Sequence, residues 1–580
     1  MTDGRFRPRH SWRWRTGVLI AVHVVIIAHV VHWLVNGTTL AGIGPAEAMD
    51  FGKLDIINVG LVIFIVAILA TAVFGRFFCG WGCHLVALQD LCRWMLGKIG
   101  IRPRPLRSRL LGLVPLIAFG YMFLWPGLFR WIAGDSHRGF ETVWTTDNLW
   151  VGLPGWTIGI LTLLTCGFVI VYVLGSKGFC TYACPYGAVF GIAEKVAPLR
   201  VRATDACKGC GRCTANCTSN VRVHEHVRDF RVVTDSGCMK CLDCVGGCPN
   251  DALYLGFGRP GLLARPRVAG VGRPRRWNVT WAEEILLAAG FVAAFATLRG
   301  LYGHVPFLMS LGVSSVLAFL GLVTVRLVTR DDLSVFGHRL RRAGRLTRAG
   351  WIGSAVMVVF LAGWSHAAVI RAHEAVGAGF YRQTADLRTA TLDLNRPLYL
   401  ARGDDKSLVE RTIATLERAD RWGFIDNPRT PLMLAWMHLL SGHPEKFHVH
   451  IRAAVLAQPK AAEVYLLQGR EHVAARRYPD AIESFTTAVE CEPRAPASYL
   501  NLGTVLAGLG ELDAAVEVFQ SGIEELPTSA DLVYSLGVAH AMRKDMAGAV
   551  EAFERTLALN PGHQEARDNL DGLLAMDSNR

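Results

Sequence analysis

The sequence predicts a mainly α-helical fold: a polytopic helical membrane protein of about seven spans, with an inserted α+β module and a C-terminal α-solenoid. Three observations predict this architecture. The 580-residue chain is 51% hydrophobic with a mean hydropathy of +0.29, so much of it suits lipid. Eight cysteines fall in two tandem runs between residues 207 and 248. A period of 34 residues runs through the last part of the chain.

Seven apolar runs approach the twenty or so residues that a helix needs to cross a bilayer. The first is interpreted as a retained anchor, because no small-residue cleavage site follows it. The predicted spans are Thr16–Val35, Leu54–Phe74, Leu110–Trp131, Leu153–Leu174, Trp281–Leu298, Val305–Val325 and Trp351–Ile370.

Arginine and lysine set the predicted orientation. The formal net charge is +13, and the surplus lies beside the apolar runs without a nucleic-acid recognition motif, so we expect no nucleic-acid partner. The basic blocks are residues 5–15, 93–109, 259–276 and 326–348, whereas the loops 36–53 and 133–150 carry few basic residues. We therefore expect a multi-pass protein of the bacterial inner membrane. Its N-terminus and cysteine runs would be cytoplasmic, and its repeats periplasmic.

The two cysteine runs have the spacing of a bacterial two-cluster ferredoxin. They read Cys207-x-x-Cys210-x-x-Cys213-x-x-x-Cys217 and Cys238-x-x-Cys241-x-x-Cys244-x-x-x-Cys248-Pro249. In such a ferredoxin-like module the fourth cysteine of each run ligates the other [4Fe-4S] cluster. The predicted ligands are Cys207, Cys210, Cys213 and Cys248 for cluster 1, and Cys238, Cys241, Cys244 and Cys217 for cluster 2.

A zinc site or a disulfide framework is the alternative interpretation of these eight cysteines. Zinc sites usually close with four ligands, so the repeated spacing fits zinc poorly. The cytoplasmic side would also keep thiols reduced. Thr218 stands where the first run would often have a proline, which changes the local turn and leaves the ligands in place.

Two further cysteine pairs follow the second and fourth predicted spans. They are Cys79-Gly80-Trp81-Gly82-Cys83-His84 and Cys180-Thr181-Tyr182-Ala183-Cys184-Pro185. Their equivalent positions at the membrane surface predict a redox or metal role. The thiols could ligate another iron–sulfur centre, hold copper, or cycle between dithiol and disulfide. Packing of small apolar side chains is the structural alternative, and it is the expected role of Cys92, Cys166 and Cys491.

Three histidines lie in the first apolar run, where a polar ring in lipid suggests a site. His23 is the deepest, and His29 and His32 share one face near the outer end. A quinone pocket would suit them, as would a haem shared with another histidine such as His366. Hydrogen bonding at the lipid headgroups is the alternative for His29 and His32.

The repeats after residue 428 have the tetratricopeptide pattern of paired helices. Prolines recur at Pro459, Pro493, Pro527 and Pro561, and glycines, alanines and phenylalanines keep the same period. Three repeats cover residues 462–563, and a degenerate one covers 428–461. The glycines would let the two helices of a repeat approach, and the phenylalanines would fill the contact between repeats. Such a stack predicts a surface that docks a protein partner, with a plain structural spacer as the alternative.

The four spans, the two CxxxC pairs and the double cluster resemble the polyferredoxin-type membrane proteins of the NapH, NosR and CcoG types. The resemblance covers residues 16–257. It implies a redox role for Cys79, Cys83, Cys180 and Cys184, the second pair matching with Pro185. His84 departs from the family pattern, which has proline there, and could act as a ligand or proton acceptor. The three later spans and the repeats lie outside the resemblance.

These features predict a membrane-bound iron–sulfur electron-transfer protein of a respiratory chain, such as a quinol dehydrogenase-type subunit. It would link the quinone pool to a redox partner. The alternatives are an assembly factor that reduces or delivers a metal such as copper to a client enzyme, and a redox-sensing scaffold. The predicted domains are a membrane core (1–199), the double-cluster module (200–258), three further spans (259–372), a helical linker (373–427) and the repeats (428–580).

Overall fold

The computed structural model describes residues 6–7, 11–40, 47–101, 106–132, 140–146, 156–266, 277–394 and 397–578. The chain divides into two compact units, residues 1–300 with 305–365, and residues 301–304 with 366–580. Some sequence-based expectations lie partly outside the described residues: the basic blocks 5–15, 93–109 and 259–276, the loops 36–53 and 133–150, and the start of the fourth predicted span.

The first part of the first unit is built from helices. They are α1 (Ser11–Asn36), α2 (Asp50–Leu54), α3 (Val59–Phe74), α4 (Phe77–Trp81), α5 (His84–Lys98), α6 (Leu111–Ile132), α7 (Gly159–Leu174), α8 (Gly178–Tyr182) and α9 (Pro185–Val196). Short strands join their loops: β1 (Thr39–Leu40) pairs with β4 (Thr145–Thr146), and β2 (Ile56–Asn58) pairs with β3 (Glu141–Val143). Helix α3 begins where the Asn58 side chain accepts the Leu61 N–H at 2.9 Å, a standard N-cap.

The chain repeats one local pattern before and after α6. An apolar helix, α3 or α7, ends at a glycine with positive φ, Gly75 (73°) or Gly175 (100°). Glycine adopts this backbone without steric cost, so the chain can turn sharply there. A five-residue helix follows, α4 or α8, and then Cys83 or Cys184 precedes α5 or α9. The two CxxxC pairs thus occupy equivalent places in two half-repeats.

The ferredoxin-like module follows α9. Its strands β5 (Arg200–Ala203) and β6 (Leu253–Gly256) are antiparallel, and its helices are α10 (Arg212–Ala215), α11 (Val223–Phe230) and α12 (Asp243–Gly246). Valines and leucines fill the space between them, among them Val201, Val227 and Leu242. Phe6 adds an isolated bridge to Leu255, which brings the N-terminal segment beside the module.

The rest of the first unit contains α13 (Trp281–Leu298), α14 (Phe307–Thr329), the three-stranded sheet β7 (Leu333–Val335), β8 (His338–Arg342) and β9 (Arg345–Leu346), and then α15 (Arg348–Gln383), which continues into the second unit. Two glutamates begin α13. Glu283 forms a capping box with Thr280, and buried Glu284 accepts the Arg109 N–H at 2.8 Å. These bonds satisfy the carboxylates at the end of an apolar helix.

The described residues contain five helices long and apolar enough to cross a membrane, namely α1, α6, α13, α14 and α15. The second and fourth predicted spans fall in α3 and α7, which are apolar but shorter. The prediction of a mainly helical chain with several apolar helices is therefore confirmed.

The second unit is helical throughout its repeats. Ahead of them lie α16 (Ala385–Leu392) and α17 (Gly403–Trp422). The paired helices are α18 (Thr430–Leu440) with α19 (Pro444–Ala457), α20 (Ala462–Ala474) with α21 (Tyr478–Cys491), α22 (Pro496–Gly508) with α23 (Leu512–Glu525), and α24 (Ala530–Met542) with α25 (Met546–Leu559), before α26 (Gln564–Ser578).

The repeat phenylalanines lie in cores that extend into the next repeat, as with Phe519 beside Leu532, and they also pack on a glycine of their own repeat. A Cβ on Gly469 would lie 2.5 Å from the Phe485 ring, and one on Gly537 would lie 2.7 Å from the Phe553 ring. Each glycine and its phenylalanine belong to the same repeat. The ring therefore also fills the contact within its own repeat, because glycine leaves room for it on the facing helix.

Candidate functional site

The predicted ligands of cluster 1 surround one cavity. Its lining includes Cys207, Cys210, Cys213 and Cys248, three thiols of the first run and the last of the second. His224 lines the same cavity, and its Nδ1 lies 2.7 Å from the Thr214 hydroxyl. The structure thus brings the four predicted thiols together.

The predicted ligands of cluster 2 are more enclosed. Cys238, Cys241 and Cys244 are buried and Cys217 is half-buried. Burial, and then the neighbouring thiols, raise the pKa of Cys217 and of Cys244 well above the usual value. A buried group of thiols ionises only when a bound cation offsets the charge, which an iron–sulfur core does. The donor set therefore fits a cluster.

Thr218 has a role that the sequence did not indicate. Its hydroxyl lies 3.3 Å from the Cys241 sulfur and 3.1 Å from Oδ2 of Asp243. A hydroxyl at a ligand sulfur is one of the groups that set a cluster's reduction potential. The residue that departs from the usual proline is thus in contact with Cys241, one of the predicted ligands of cluster 2.

The two CxxxC pairs meet at one site, called the thiol quartet below. Cys79, Cys83, Cys180 and Cys184 lie close enough for their charges to act on one another. All four are free thiols, and Cys79 and Cys180 are buried. Burial first and the neighbouring thiols second raise the pKa of Cys83 to about 12. Gln89 donates its Nε2 hydrogen to the Cys180 sulfur at 3.1 Å.

The quartet lies deeper than the sequence suggested. Helix α9 runs back along α3, because the Tyr186 ring lies 5.6 Å from the Phe64 ring while Glu194 accepts the Arg76 N–H at 2.8 Å. Phe64 precedes the end of α3 by ten residues, roughly 15 Å at the helical rise. Cys184, at the start of α9, therefore lies beside the middle of α3 and not beyond its end.

Two buried cations adjoin the quartet at equivalent positions. Arg76 stands three residues before Cys79, and Lys177 stands three residues before Cys180. The Arg76 guanidinium is hydrogen-bonded to Cys79. Lys177 Nζ lies 2.6 Å from Oδ1 of Asp90. Burial lowers the pKa of Lys177 to about 7, and the Cys180 thiol acts in the opposite direction.

The quartet contacts the second cysteine run of the ferredoxin-like module. Any Cβ on Gly80 would collide with the backbone carbonyl oxygen of Met239. Trp81 donates its indole N–H to the Lys240 carbonyl oxygen at 2.9 Å. Gly80 and Trp81 lie inside the first CxxxC pair, and Met239 and Lys240 lie between Cys238 and Cys241. The two loops therefore pack directly on each other.

Two ionic networks hold this contact. In the first, Arg15 of α1 pairs with Asp90 of α5 and Asp243 of α12, and Asp90 also pairs with Lys177. In the second, Glu194 of α9 pairs with Lys240 at 2.5 Å and with Arg200 at 3.4 Å. Ion pairs buried between two elements fix their relative position, because separating them leaves charges unpaired.

The histidines of α1 are spread along the helix. His23 Nδ1 lies 2.7 Å from the Leu19 carbonyl oxygen, and His29 Nδ1 lies 3.1 Å from the Thr39 hydroxyl. Burial and the nearby His23 lower the pKa of His84. His32 lies near His29. His366 lies in the second unit, where its ring packs on Phe424 at 4.3 Å between centroids.

In the part of the chain that the structure describes, no three histidine, cysteine, aspartate or glutamate side chains converge closely enough to hold a single metal ion.

Known families match the regions that carry these sites. A family described as a 4Fe-4S dicluster domain matches residues 206–253, and one described as a 4Fe-4S binding domain matches residues 58–102 and 157–203. The tetratricopeptide repeat family matches residues 466–530 and 523–563. This chain joins 4Fe-4S domains to tetratricopeptide repeats. The predictions of iron–sulfur domains and of the repeats are confirmed.

Curated relatives resemble the ferredoxin-type part of the chain. The ferredoxin-type protein NapH of Haemophilus influenzae is 25% identical over 34% of this chain and 66% of its own length. NapH of Escherichia coli is 27% identical over 31% of this chain and 61% of its own. The methylamine utilization ferredoxin-type protein MauN of Methylorubrum extorquens is 29% identical over 32% of this chain and 66% of its own length. The chain thus covers just under two thirds of these relatives.

The sequence did not indicate Arg76, Lys177, Glu194 or Lys240. Signals for the first two are present in it, because a basic residue stands three positions before each CxxxC pair. The other two are recognisable only from the fold, since their partners are distant in the sequence.

Proposed function

We propose that this protein carries electrons between the quinone pool of a membrane and a redox partner. Iron–sulfur electron transfer rests on the matched 4Fe-4S domains and on the NapH-type and MauN-type relatives. When bound, the two clusters supply one-electron transfer. Their ligands are the two predicted sets, Cys207, Cys210, Cys213 and Cys248, and Cys238, Cys241, Cys244 and Cys217.

One observation carries the quinone link. The thiol quartet reaches the middle of apolar helix α3 on one side and contacts the loop of Cys238–Cys241 on the other. Quinones dissolve in the apolar layer of a membrane, while the cysteine runs belong to a module outside it. The quartet is thus placed to join the two, and Gly80 and Trp81 provide the direct contact.

The proposed topology has seven spans, with α3 and α7 as the second and fourth. The basic blocks support a cytoplasmic ferredoxin-like module and repeats on the outer side, where the repeats would dock a protein partner. The described exposed side chains of α1 support lipid contact, since Val24, Val25 and Ile27 are exposed and apolar. Reporter fusions after Arg348 and after Arg388 test the sidedness, and both reporting the cytoplasm would refute it.

Quinone reactivity is tested with anaerobically purified protein in lipid nanodiscs. Duroquinone should rapidly reoxidise the dithionite-reduced protein. The loss of the cluster EPR signals monitors this reoxidation. The double variant Cys180→Ala/Cys184→Ala should keep both ferredoxin signals and lose rapid reoxidation. Cys92→Ala, at a buried thiol outside the quartet, is the matched control. Unchanged reoxidation in the double variant would refute a role of the quartet in quinone reactivity.

A further inference from the structure

The charges buried around the thiol quartet do not balance. Among the described residues, five cations and three carboxylates are buried or ion-paired at the contact between the quartet and the ferredoxin-like module. The cations are Arg15, Arg76, Lys177, Arg200 and Lys240, and the carboxylates are Asp90, Glu194 and Asp243.

The first network is neutral by itself. Arg15 and Lys177 are its cations, and Asp90 and Asp243 are its anions. Asp90 lies between the two cations, with Lys177 Nζ at 2.6 Å, and Asp243 lies 3.2 Å from Arg15. This network needs no further partner.

The second network carries the excess. Glu194 is its carboxylate, and it faces Lys240 and Arg200 through its side chain and Arg76 through a backbone N–H. The guanidinium of Arg76 donates Nη1 to the Ser236 carbonyl at 3.2 Å and is otherwise directed at Cys79, Cys180 and Cys184, whose charges act on it. Lys240 also lies between Cys238 and Cys241, two predicted ligands of cluster 2, so a bound cluster 2 offsets charge in this network, and Arg76 is the cation of the network that faces the quartet.

A buried guanidinium such as that of Arg76 is costly unless an anion lies next to it. The quartet thiols are the remaining groups in contact with Arg76 that can become anionic. A pair of disulfides or four neutral thiols would contribute no negative charge. Copper(I) held by two thiolates would contribute about −1. A [4Fe-4S] cluster with four thiolates contributes about −2, because the oxidised core carries about +2. One zinc ion with four thiolates contributes the same charge, so metal analysis has to distinguish the two.

Each half-repeat brings two thiols to the site. The remaining cysteine of the first matched segment, Cys92, packs against the Gly167 backbone, where an added Cβ would lie 2.8 Å from its sulfur. It therefore lies apart from Cys79 and Cys83. Neither matched 4Fe-4S segment can supply four ligands from one half alone.

We propose that Cys79, Cys83, Cys180 and Cys184 together ligate one further [4Fe-4S] cluster, shared between the two half-repeats and neutralised by Arg76 and its network. This inference rests on the proposed function, since it names the cofactor of the same site. The CxxxC spacing gives each half two ligands, and the pairing of α3–α5 with α7–α9 completes the set.

The test is a count of iron and acid-labile sulfide in the anaerobically purified full-length protein. We expect about twelve irons per chain, falling to about eight in Cys79→Ser/Cys180→Ser. Cys92→Ala/Cys166→Ala should keep about twelve. Mössbauer spectra of the wild-type protein should show the extra cluster without any quinone present. The cluster can therefore be detected even if the quinone assay fails.

Several results would overturn the inference. One is about eight irons per chain in the anaerobically purified wild-type protein, with no third cluster in its Mössbauer spectrum. Another is one zinc or copper per chain that is lost in the Cys79→Ser/Cys180→Ser variant. Should that variant fail to fold, the wild-type iron count and Mössbauer spectrum decide the question by themselves.

Discussion

Gly80 of the first CxxxC pair lies directly against the backbone carbonyl of Met239 in the second ferredoxin run, so closely that no side chain fits between them. Both residues sit inside short cysteine loops, and the neighbouring Trp81 indole bonds to the Lys240 carbonyl at 2.9 Å. Two redox-type loops are therefore in backbone contact. This contact gives a direct protein route between the quartet and the predicted ligands of cluster 2.

Gly80→Ala should separate these loops. The new Cβ meets a backbone oxygen, which cannot rotate away, so the loops must shift at a cost of about 1–3 kcal/mol. We expect reoxidation by duroquinone to slow several-fold while the iron content stays unchanged. Gly97→Ala is the matched control, because a Cβ there meets nothing within 4 Å. Equal slowing in both variants would contradict the role of this contact.

The glycine–phenylalanine contact of the repeats gives a second prediction. A Cβ on Gly503 would lie 2.4 Å from a carbon of the Phe519 ring. Gly503→Ala should therefore lower the free energy of unfolding of the repeats by about 1–3 kcal/mol. Gly508→Ala, with nothing within 4 Å of the new Cβ, should be nearly neutral. Thermal unfolding followed by circular dichroism measures both, and Gly503→Ala/Phe519→Leu should recover part of the loss.

Acid sensitivity of the repeats is the third prediction. His438 is buried, neither ring nitrogen has a hydrogen-bond partner among the described residues, and its ring stacks on His450 at 5.2 Å. Burial first, and then His450, Lys446 and His443, lower the pKa of His438 from 6.5 to about 4. Between these values the unfolded chain binds a proton that the folded protein does not. Stability present above pH 6.5 is therefore lost as the pH falls towards 4.

The loss from His438 amounts to about 3 kcal/mol at most, at 1.36 kcal/mol per unit of pKa. Thermal unfolding of the full chain at several pH values should show it as a falling Tm below pH 6.5. His438→Leu should flatten this dependence, since the buried ring that resists protonation is gone. His448→Gln, at a more exposed histidine, should keep it. A pH dependence unchanged in His438→Leu would contradict the assignment.

The sequence predicted the parts that depend on local spacing. Four cysteines of the two ferredoxin runs, in which cysteines stand three or four residues apart, come together around the cluster 1 cavity as predicted. The 34-residue period corresponds to the paired helices of the repeats. The sequence did not predict how far along the apolar helix α3 the CxxxC pairs lie. The pairs follow the ends of apolar runs in the sequence, but Gly75 and Gly175 reverse the chain, so α9 returns along α3.

Long-range contacts explain the remaining gaps. Glu194 and Lys240 are 46 residues apart and meet only because the module packs on α9. Gly80 gives no periodic or compositional sign of its contact with Met239. The phenylalanine period was visible, but the spacing alone does not distinguish a contact within a repeat from one between repeats, because both recur every 34 residues.

The last prediction concerns Arg76, the buried cation hydrogen-bonded to Cys79. A positive charge beside a cluster favours the more negative, reduced state, so it raises the reduction potential. Arg76→Gln should lower the potential of the quartet cluster by on the order of 100 mV, as expected for one charge at close range in a low-dielectric site. Arg76→Lys should restore most of it. Lys98→Gln, at an exposed cation of α5, should leave it unchanged. EPR-monitored redox titration measures all of these proteins, and the ferredoxin signals in the same samples act as an internal reference. If Arg76→Gln and the wild-type protein had equal quartet potentials, the excess buried charge would not act on this site, and the charge argument for a dianionic cluster would fail with it.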